Sequence, residues 1–256
     1  MRNVHKVEKC GNGIASTALR NREYMSSIIR ARRQTSSRKT WVFDYDGVIV
    51  PDFTAKDIKR GYERAYDFIS EARGVDRKKA KRMVDEIERE QKEYKEPLVS
   101  SVHRIVPEVP IPQLFRHFFV GYKKDHGHFG RDPWLVSHLN ILHRKGIEKT
   151  ILTNTPVAVV SRSMERKGIS GYFKAVMGCD SFGGVMKPKP EAFMLALLNL
   201  GISAKETVFI DNSIQNILVA REMGIFSVHI HGDESSGVDG ADISYSSLRE
   251  FLDEHA

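Results

Sequence analysis

The run Trp41-Val42-Phe43, followed at once by Asp44-Tyr45-Asp46-Gly47, limits this chain more than any other segment. Apolar residues without polar alternation describe a strand buried on both faces. Such strands belong to parallel sheets covered by helices, where ligands bind beyond the carboxyl ends of the strands. Asp44 and Asp46 stand at that end. Two carboxylates so close together are costly there unless a cation or a proton accompanies them.

The pattern recurs downstream. Thr150-Ile151-Leu152 stops at Thr153 and Asn154, Ala175-Val176-Met177 leads to a loop holding Lys187, and Thr207-Val208-Phe209-Ile210 stops at Asp211 and Asn212. Phe226 to Ile230 is a fifth strand. Helical segments separate these runs. One starts at Asp132-Pro133, a cap followed by proline at the first helical position, and ends at Gly146. Alternating strands and helices predict an α/β fold, a doubly wound parallel sheet with right-handed crossovers. On that topology the polar strand ends share one edge.

Between the first two strands the period is helical throughout. Thr54 caps a segment with Ile58, Tyr62, Ala65 and Ile69 in register, and Asp76 caps a second that Pro97 ends. Pro107, Pro110 and Pro112 mark an irregular connection before a third helix carrying Leu114, Phe115, Phe118 and Tyr122. Phe115, Phe118 and Phe119 fit the interior of this module better than a platform for a nucleobase. The expected division is an α/β core over 41–52 and 131–256, with an all-helical insertion over 53–130.

The formal charge of +7 is concentrated at one end. Residues 1–40 hold ten basic residues against two acidic ones, leaving 30 basic and 31 acidic residues for the rest. A body this close to neutral carries no nucleic-acid footprint, so that contact is left to the basic tail alone. Residues 1–40 are expected to be a disordered extension. The alternatives are a cleaved organelle-targeting peptide and an anion-binding arm. No apolar run reaches the roughly 18 residues of a membrane span. Cys10 and Cys179 have no metal-type or disulfide spacing, which points to a reducing compartment: the cytoplasm, or an organelle matrix if the tail is a targeting peptide.

The residue types at the strand ends suit phosphoryl transfer. A carboxylate can attack phosphorus, and a second acid can protonate the leaving alcohol and then deprotonate water. A hydroxyl and an ammonium can hold phosphoryl oxygens, and carboxylates recruit Mg²⁺. The alternating His229 and His231, and His126 with His128, lack a third ligand at zinc-site spacing.

Phe43-Asp44-Tyr45-Asp46-Gly47-Val48, Leu152-Thr153-Asn154, Lys187-Pro188-Lys189-Pro190 and Phe209-Ile210-Asp211-Asn212-Ser213, in this order, resemble the motifs of the haloacid dehalogenase-like hydrolases. The resemblance covers about 41 to 256 and implies a Rossmann-like core, with 53–130 as a helical cap that closes over the site. It implies Asp44 as nucleophile and Mg²⁺ ligand, and Asp46 as general acid/base that also lends its backbone carbonyl to the metal. Thr153, with Asn154 and Lys187, would bind the substrate phosphate; Lys187 would also orient the nucleophile. Asp211, with Asn212, would anchor the metal, although Asn212 stands where many relatives have a second acid.

The expected activity is a Mg²⁺-dependent phosphatase acting on a small phosphorylated metabolite, of nucleotide- or sugar-phosphate type, through an aspartyl phosphate. The alternatives are a phosphomutase or phosphotransferase of the same family, and a binding or regulatory protein on a weakened scaffold. Asp46 favours phosphoryl transfer over dehalogenation, which needs no proton donor at that place.

Overall fold

The computed structural model describes residues 33–91, 94–119, 130–232 and 240–256. The basic stretch 1–32, Tyr122 and the pair His126 and His128 lie outside the described residues. After β1 (Thr40–Phe43) come four helices: α1 (Ala55–Arg73), α2 (Arg77–Glu90), α3 (Leu98–Ile105) and α4 (Ile111–Phe118). Then follow α5 (Pro133–Arg144), β2 (Glu148–Leu152), α6 (Val157–Lys167), β3 (Ala175–Met177), α7 (Pro190–Leu200) and β4 (Thr207–Asp211). The chain continues through α8 (Ile214–Glu222), β5 (Phe226–Ile230), β6 (Ile243–Tyr245) and α9 (Leu248–His255).

The strands form one sheet in the order β3-β2-β1-β4-β5-β6, every neighbouring pair parallel. β1 lies in the middle, with Phe43 opposite Ile151 on one side and Ile210 on the other. The pleat sorts its apolar residues between two layers. Trp41 and Phe43 pack with Leu139, Val160 and Phe251 from α5, α6 and α9, while Val42 packs with Phe193 and Ile217 from α7 and α8. Helices therefore cover both faces. Removing such large side chains from water contributes about 1.5–3 kcal/mol each.

A third apolar cluster lies inside α1–α4, built on Ala65, Ile69, Val84, Val102, Leu114 and Phe118. Cys179 and Met186, from the loops after β3, also belong to it, so the helical insertion is seated on the sheet's carboxyl edge. The caps follow the sequence reading. Thr54 and Asp57 form a reciprocal box at the start of α1, and Asp76 and Asp132 cap α2 and α5.

Two elements depart from expectation. The irregular connection after Pro97 contains α3, whose Ser100 and Ser101 and β-branched Val99 and Val102 are weak helix formers stabilised by burial. A sixth strand, β6, extends the sheet past β5 and spans three residues. The stretch assigned to a loose extension also ends early. Thr35 is buried with its hydroxyl 2.9 Å from His255 Nδ1, and the Arg38 guanidinium lies 4.8 Å from the centre of the Phe226 ring. No helix among the described residues is long and apolar enough to cross a membrane.

Candidate active site

β1 delivers Asp44 one residue past its end, and the backbone N–H of Asp44 still donates to Ile210 O at 2.8 Å, so the strand pairing continues into the site. Gly47 then turns the chain at φ +86°. A side chain there would be strained, and its Cβ would lie 2.1 Å from Asn212 Nδ2. The turn after the first acids and the residue after β4 are thereby packed directly together.

Lys187 is the hub. Its Nζ lies 3.0 Å from Asp44 Oδ1 and 2.6 Å from Asp211 Oδ2, with both Lys187 and Asp211 fully enclosed. Burial alone would depress the ammonium's pKa, but Asp211 and Asp44 more than offset this and hold it above its ordinary value. Asp44 moves the opposite way from a paired carboxylate. Burial, then the charge of Asp211, hold its pKa well above the usual range despite Lys187 and the Tyr45 N–H donor at 2.6 Å. Among the described residues no hydrogen-bond donor reaches Asp44 Oδ2.

Asp46 accepts a 2.6 Å hydrogen bond at Oδ2 from the Thr155 hydroxyl. Thr153 is buried beside them, and its Oγ1 accepts from Thr155 N at 3.1 Å. The structure thus brings Asp44, Asp46, Thr153 and Lys187 to one cleft of about 410 Å³, which Asn154, Asn212 and Asn216 also line.

Two residues of the expected site make contacts that the sequence did not show. The Asn154 amide, expected at the substrate phosphate, is spent on the main chain of Lys187: Nδ2 donates to Lys187 O at 2.9 Å, and Oδ1 accepts from Lys187 N at 3.0 Å. Asp211, expected to anchor a metal, already has both oxygens engaged. Oδ2 accepts from Lys187 and from Asn216 Nδ2 at 2.9 Å, and Oδ1 accepts from Ser213 N at 2.7 Å. These bonds make it a holder of Lys187.

Asn212 donates from Nδ2 to Asp52 Oδ2 at 2.8 Å, and among the described residues its Oδ1 accepts no bond. Its main-chain carbonyl lies 3.2 Å from His229 Nε2. Burial raises the Asp52 pKa, an effect that its bonds to Phe53 N–H and Asn212 offset in part. Thr155, Asn216 and Asp52 were not singled out as site residues from the sequence. Only the period-two placement of Thr153 and Thr155 carried a signal.

The donor set fits Mg²⁺. Asp44, Asp46 and Asp52 line the cleft, and the Lys187 ammonium is paired with Asp44 and Asp211. Burial, then the charge of Asp211, raises the Asp44 pKa, so a cation beside it would be favourable. Among the described residues no three carboxylates, thiols or imidazoles form a closed cage. That is compatible with an ion that keeps several waters and takes few protein ligands. Asp44, Asp46 and the Asn212 amide oxygen are the groups available to it.

Comparison with known proteins agrees with the fold. The phosphoglycolate phosphatase of Salmonella paratyphi A is 28% identical over 124 residues, 47% of this chain and 49% of that protein. That of Escherichia coli K12 is 27% identical over an equal length, again 49% of the relative. The match thus spans about half the length of these curated relatives. A solved phosphatase of the same superfamily from Thermococcus onnurineus superposes with a TM-score of 0.55 at 21% identity, over 84% of this chain and 96% of the other. The family model for haloacid dehalogenase-like hydrolases matches residues 39–224, a stretch containing Asp44, Asp46, Thr153, Lys187 and Asp211. With β1 feeding Asp44 and Asp46 into a cleft closed by Lys187, the chain belongs to the haloacid dehalogenase-like hydrolases.

Proposed function

We propose that this protein is a Mg²⁺-dependent phosphatase that hydrolyses a small phosphomonoester through a phosphorylated Asp44. The observation that carries the reading is the Asp46 carboxyl, held by the Thr155 hydroxyl at 2.6 Å two residues beyond Asp44. A site that displaces halide needs no acid there, whereas ester cleavage does.

A carboxylate oxygen of Asp44 attacks phosphorus, and the bond from phosphorus to the ester oxygen breaks. Asp46 gives its proton to the departing alkoxide, so the alcohol leaves neutral. Water then attacks the phosphoryl group while Asp46 takes back a proton. The bond from phosphorus to Asp44 breaks, releasing inorganic phosphate and restoring both carboxyls. Lys187 keeps Asp44 oriented and offsets charge, Asp211 keeps Lys187 in place, and Thr153 offers a hydroxyl to the phosphoryl oxygens. Bound Mg²⁺ supplies positive charge that lets the anionic ester approach the carboxylates.

The helices over 53–130 act as a cap that excludes water from this cleft. The names of the Salmonella and Escherichia relatives favour phosphate-ester chemistry within the family. The test is phosphate release from an ester panel, with and without Mg²⁺, for the wild type and Asp44→Asn. Metal-dependent release abolished by the substitution supports the reading; release that survives it removes the covalent route.

A further inference from the structure

Above the reacting carboxylates the cleft changes character. Phe53, Phe115 and Phe119 line it together. Their rings form one cluster, with Phe53 and Phe119 centroids 5.0 Å apart at 62°, Phe115 and Phe119 5.1 Å apart at 43°, and Phe53 and Phe115 6.2 Å apart at 77°. Phe118, on the same helix, is fully buried in the insertion's own core. Phe115 belongs to that core too but also lines the cleft, and the partly buried Phe53 and Phe119 pack against it from the cleft side. Ile58 and Leu98 extend the apolar wall.

The helix α1 is shaped around this cluster. Gly61 is buried within α1, and a Cβ there would lie 2.8 Å from the Phe119 ring. A mid-helix glycine costs about 1 kcal/mol relative to alanine. The space it creates is filled by Phe119 and fixes that ring at the cleft wall.

The charges lining the cleft point the same way. Among the described lining residues the acids are Asp44, Asp46, Asp52 and Glu96, and the cations are Lys187 and Lys95. Lys187 is committed to Asp44 and Asp211. Glu96 is likewise committed, to Arg104 and Lys189, so a leaving alcohol bearing its own carboxylate would meet chiefly a wall of hydrocarbon, at the cost of its hydration. A flat, uncharged ring would lose far less hydration than a carboxylate and would gain ring-on-ring contact.

We propose that Phe53, Phe115 and Phe119 form a platform selecting phosphomonoesters whose alcohol carries a flat, uncharged ring, of arylmethyl or nucleoside type. This rests on the phosphatase reading for the reaction, but the selectivity itself is a binding property.

The experiment therefore has two arms on the full chain with Mg²⁺. Calorimetric binding to Asp44→Asn compares benzyl phosphate, phosphoglycolate and glycerol 3-phosphate, and wild-type turnover compares the same three. Stacking on one aromatic side chain corresponds to roughly tenfold or more in affinity, so benzyl phosphate should bind at least about tenfold more tightly than the other two. Phe119→Leu and Phe53→Leu, placed in the Asp44→Asn background, keep the wall apolar and should each shrink that preference severalfold. Gly61→Ala, which displaces the Phe119 ring, should shrink it as well. Equal or tighter binding of phosphoglycolate, or loss of affinity for all three esters alike in the leucine variants, overturns the platform. Selective binding of benzyl phosphate without phosphate release from any ester by the wild type leaves the platform standing and overturns the phosphatase reading instead.

Discussion

The side-chain amide of Asn154 bonds both main-chain polar groups of Lys187, donating to its carbonyl at 2.9 Å and accepting from its N–H at 3.0 Å. The loop after β2 is thereby locked to the segment that delivers the Lys187 ammonium, much as two strands pair. Asn154 is a positioning residue. Asn154→Asp keeps the acceptor and loses the donor, placing a carboxylate against the Lys187 carbonyl, while Asn154→Ala loses both bonds. A displacement of about 1 Å at a catalytic group can cost about 10²-fold. Both variants should therefore lower kcat by roughly 10- to 100-fold with a smaller change in KM. A change confined to KM would mean that Asn154 touches substrate instead.

Lys187 is enclosed between Asp44 and Asp211, so its removal strands two buried carboxylates. Breaking a buried ion pair by deleting one partner costs about 3–5 kcal/mol. Lys187→Met should lose stability of that order in denaturant titration at neutral pH. The deficit should shrink on acidification, because the stranded carboxyls take up protons more readily in the folded state than in the unfolded chain.

Asp44 tests the opposite sign. Its folded pKa is raised, first by burial and then by Asp211, so the charged form is disfavoured in the metal-free protein. Stability from this group is full below the unfolded carboxyl pKa and is lost as pH rises toward the folded value. Asp44→Asn removes that liability. At neutral pH without metal it should melt a few degrees higher than wild type. Added Mg²⁺ should close the gap by stabilising wild type more than the variant, as ligand linkage requires. An equal or lower melting temperature for Asp44→Asn without metal would contradict the assignment of strain to this carboxylate.

The partner of Thr155 is reached only through the fold. Its hydroxyl donates to Asp46 across 109 residues of sequence. Thr155→Val is nearly isosteric and removes only the donor, at a stability cost of about 1 kcal/mol. With Asp46 unrestrained, kcat should fall by about tenfold or more, with Thr155→Ser restoring most of it. Equal losses in the valine and serine variants would mean that shape, not the hydrogen bond, matters at this position.

These residues mark where the sequence stops being legible. β1 could be read because Trp41, Val42 and Phe43 are buried on both faces, which leaves a local signature in composition. Asp44, Asp46, Thr153, Lys187 and Asp211 could be found because each closes or follows a strand, and parallel strands carry such positions to one edge. The hydrogen-bond partners of Asn154, Asp211 and Asn212 could not be read, since groups far along the chain decide which way an amide or carboxylate turns. Asn212 reaches Asp52 across 160 positions, and nothing local to either residue records that contact. α3 stayed hidden for a related reason: tertiary burial of Val99 and Val102 stabilises a helix that its own propensities do not favour.

Glu96 offers a test of how the insertion is held to the sheet edge. Its carboxylate accepts from the Ser100 hydroxyl and pairs with Arg104, both on α3, and with Lys189 Nζ at 3.1 Å, which precedes α7 in the α/β core. Burial would raise the Glu96 pKa, but Ser100, Lys189 and Arg104 together bring it below its ordinary value. A depressed carboxyl contributes stability that is present above its unfolded pKa of about 4.3 and is lost as pH falls through the folded value. Acidification from about pH 5 toward pH 3 should therefore loosen α3 from the core before the sheet itself unfolds. Hydrogen exchange followed along that pH series, corrected for the intrinsic rate, should show protection of α3 falling while that of β1 and β4 persists. Glu96→Gln has no charge to lose, so it should start with lower α3 protection at pH 5 and vary less across the series. If wild type and variant lose α3 protection in parallel, the Glu96–Lys189 pair is not what fastens the helices over the cleft.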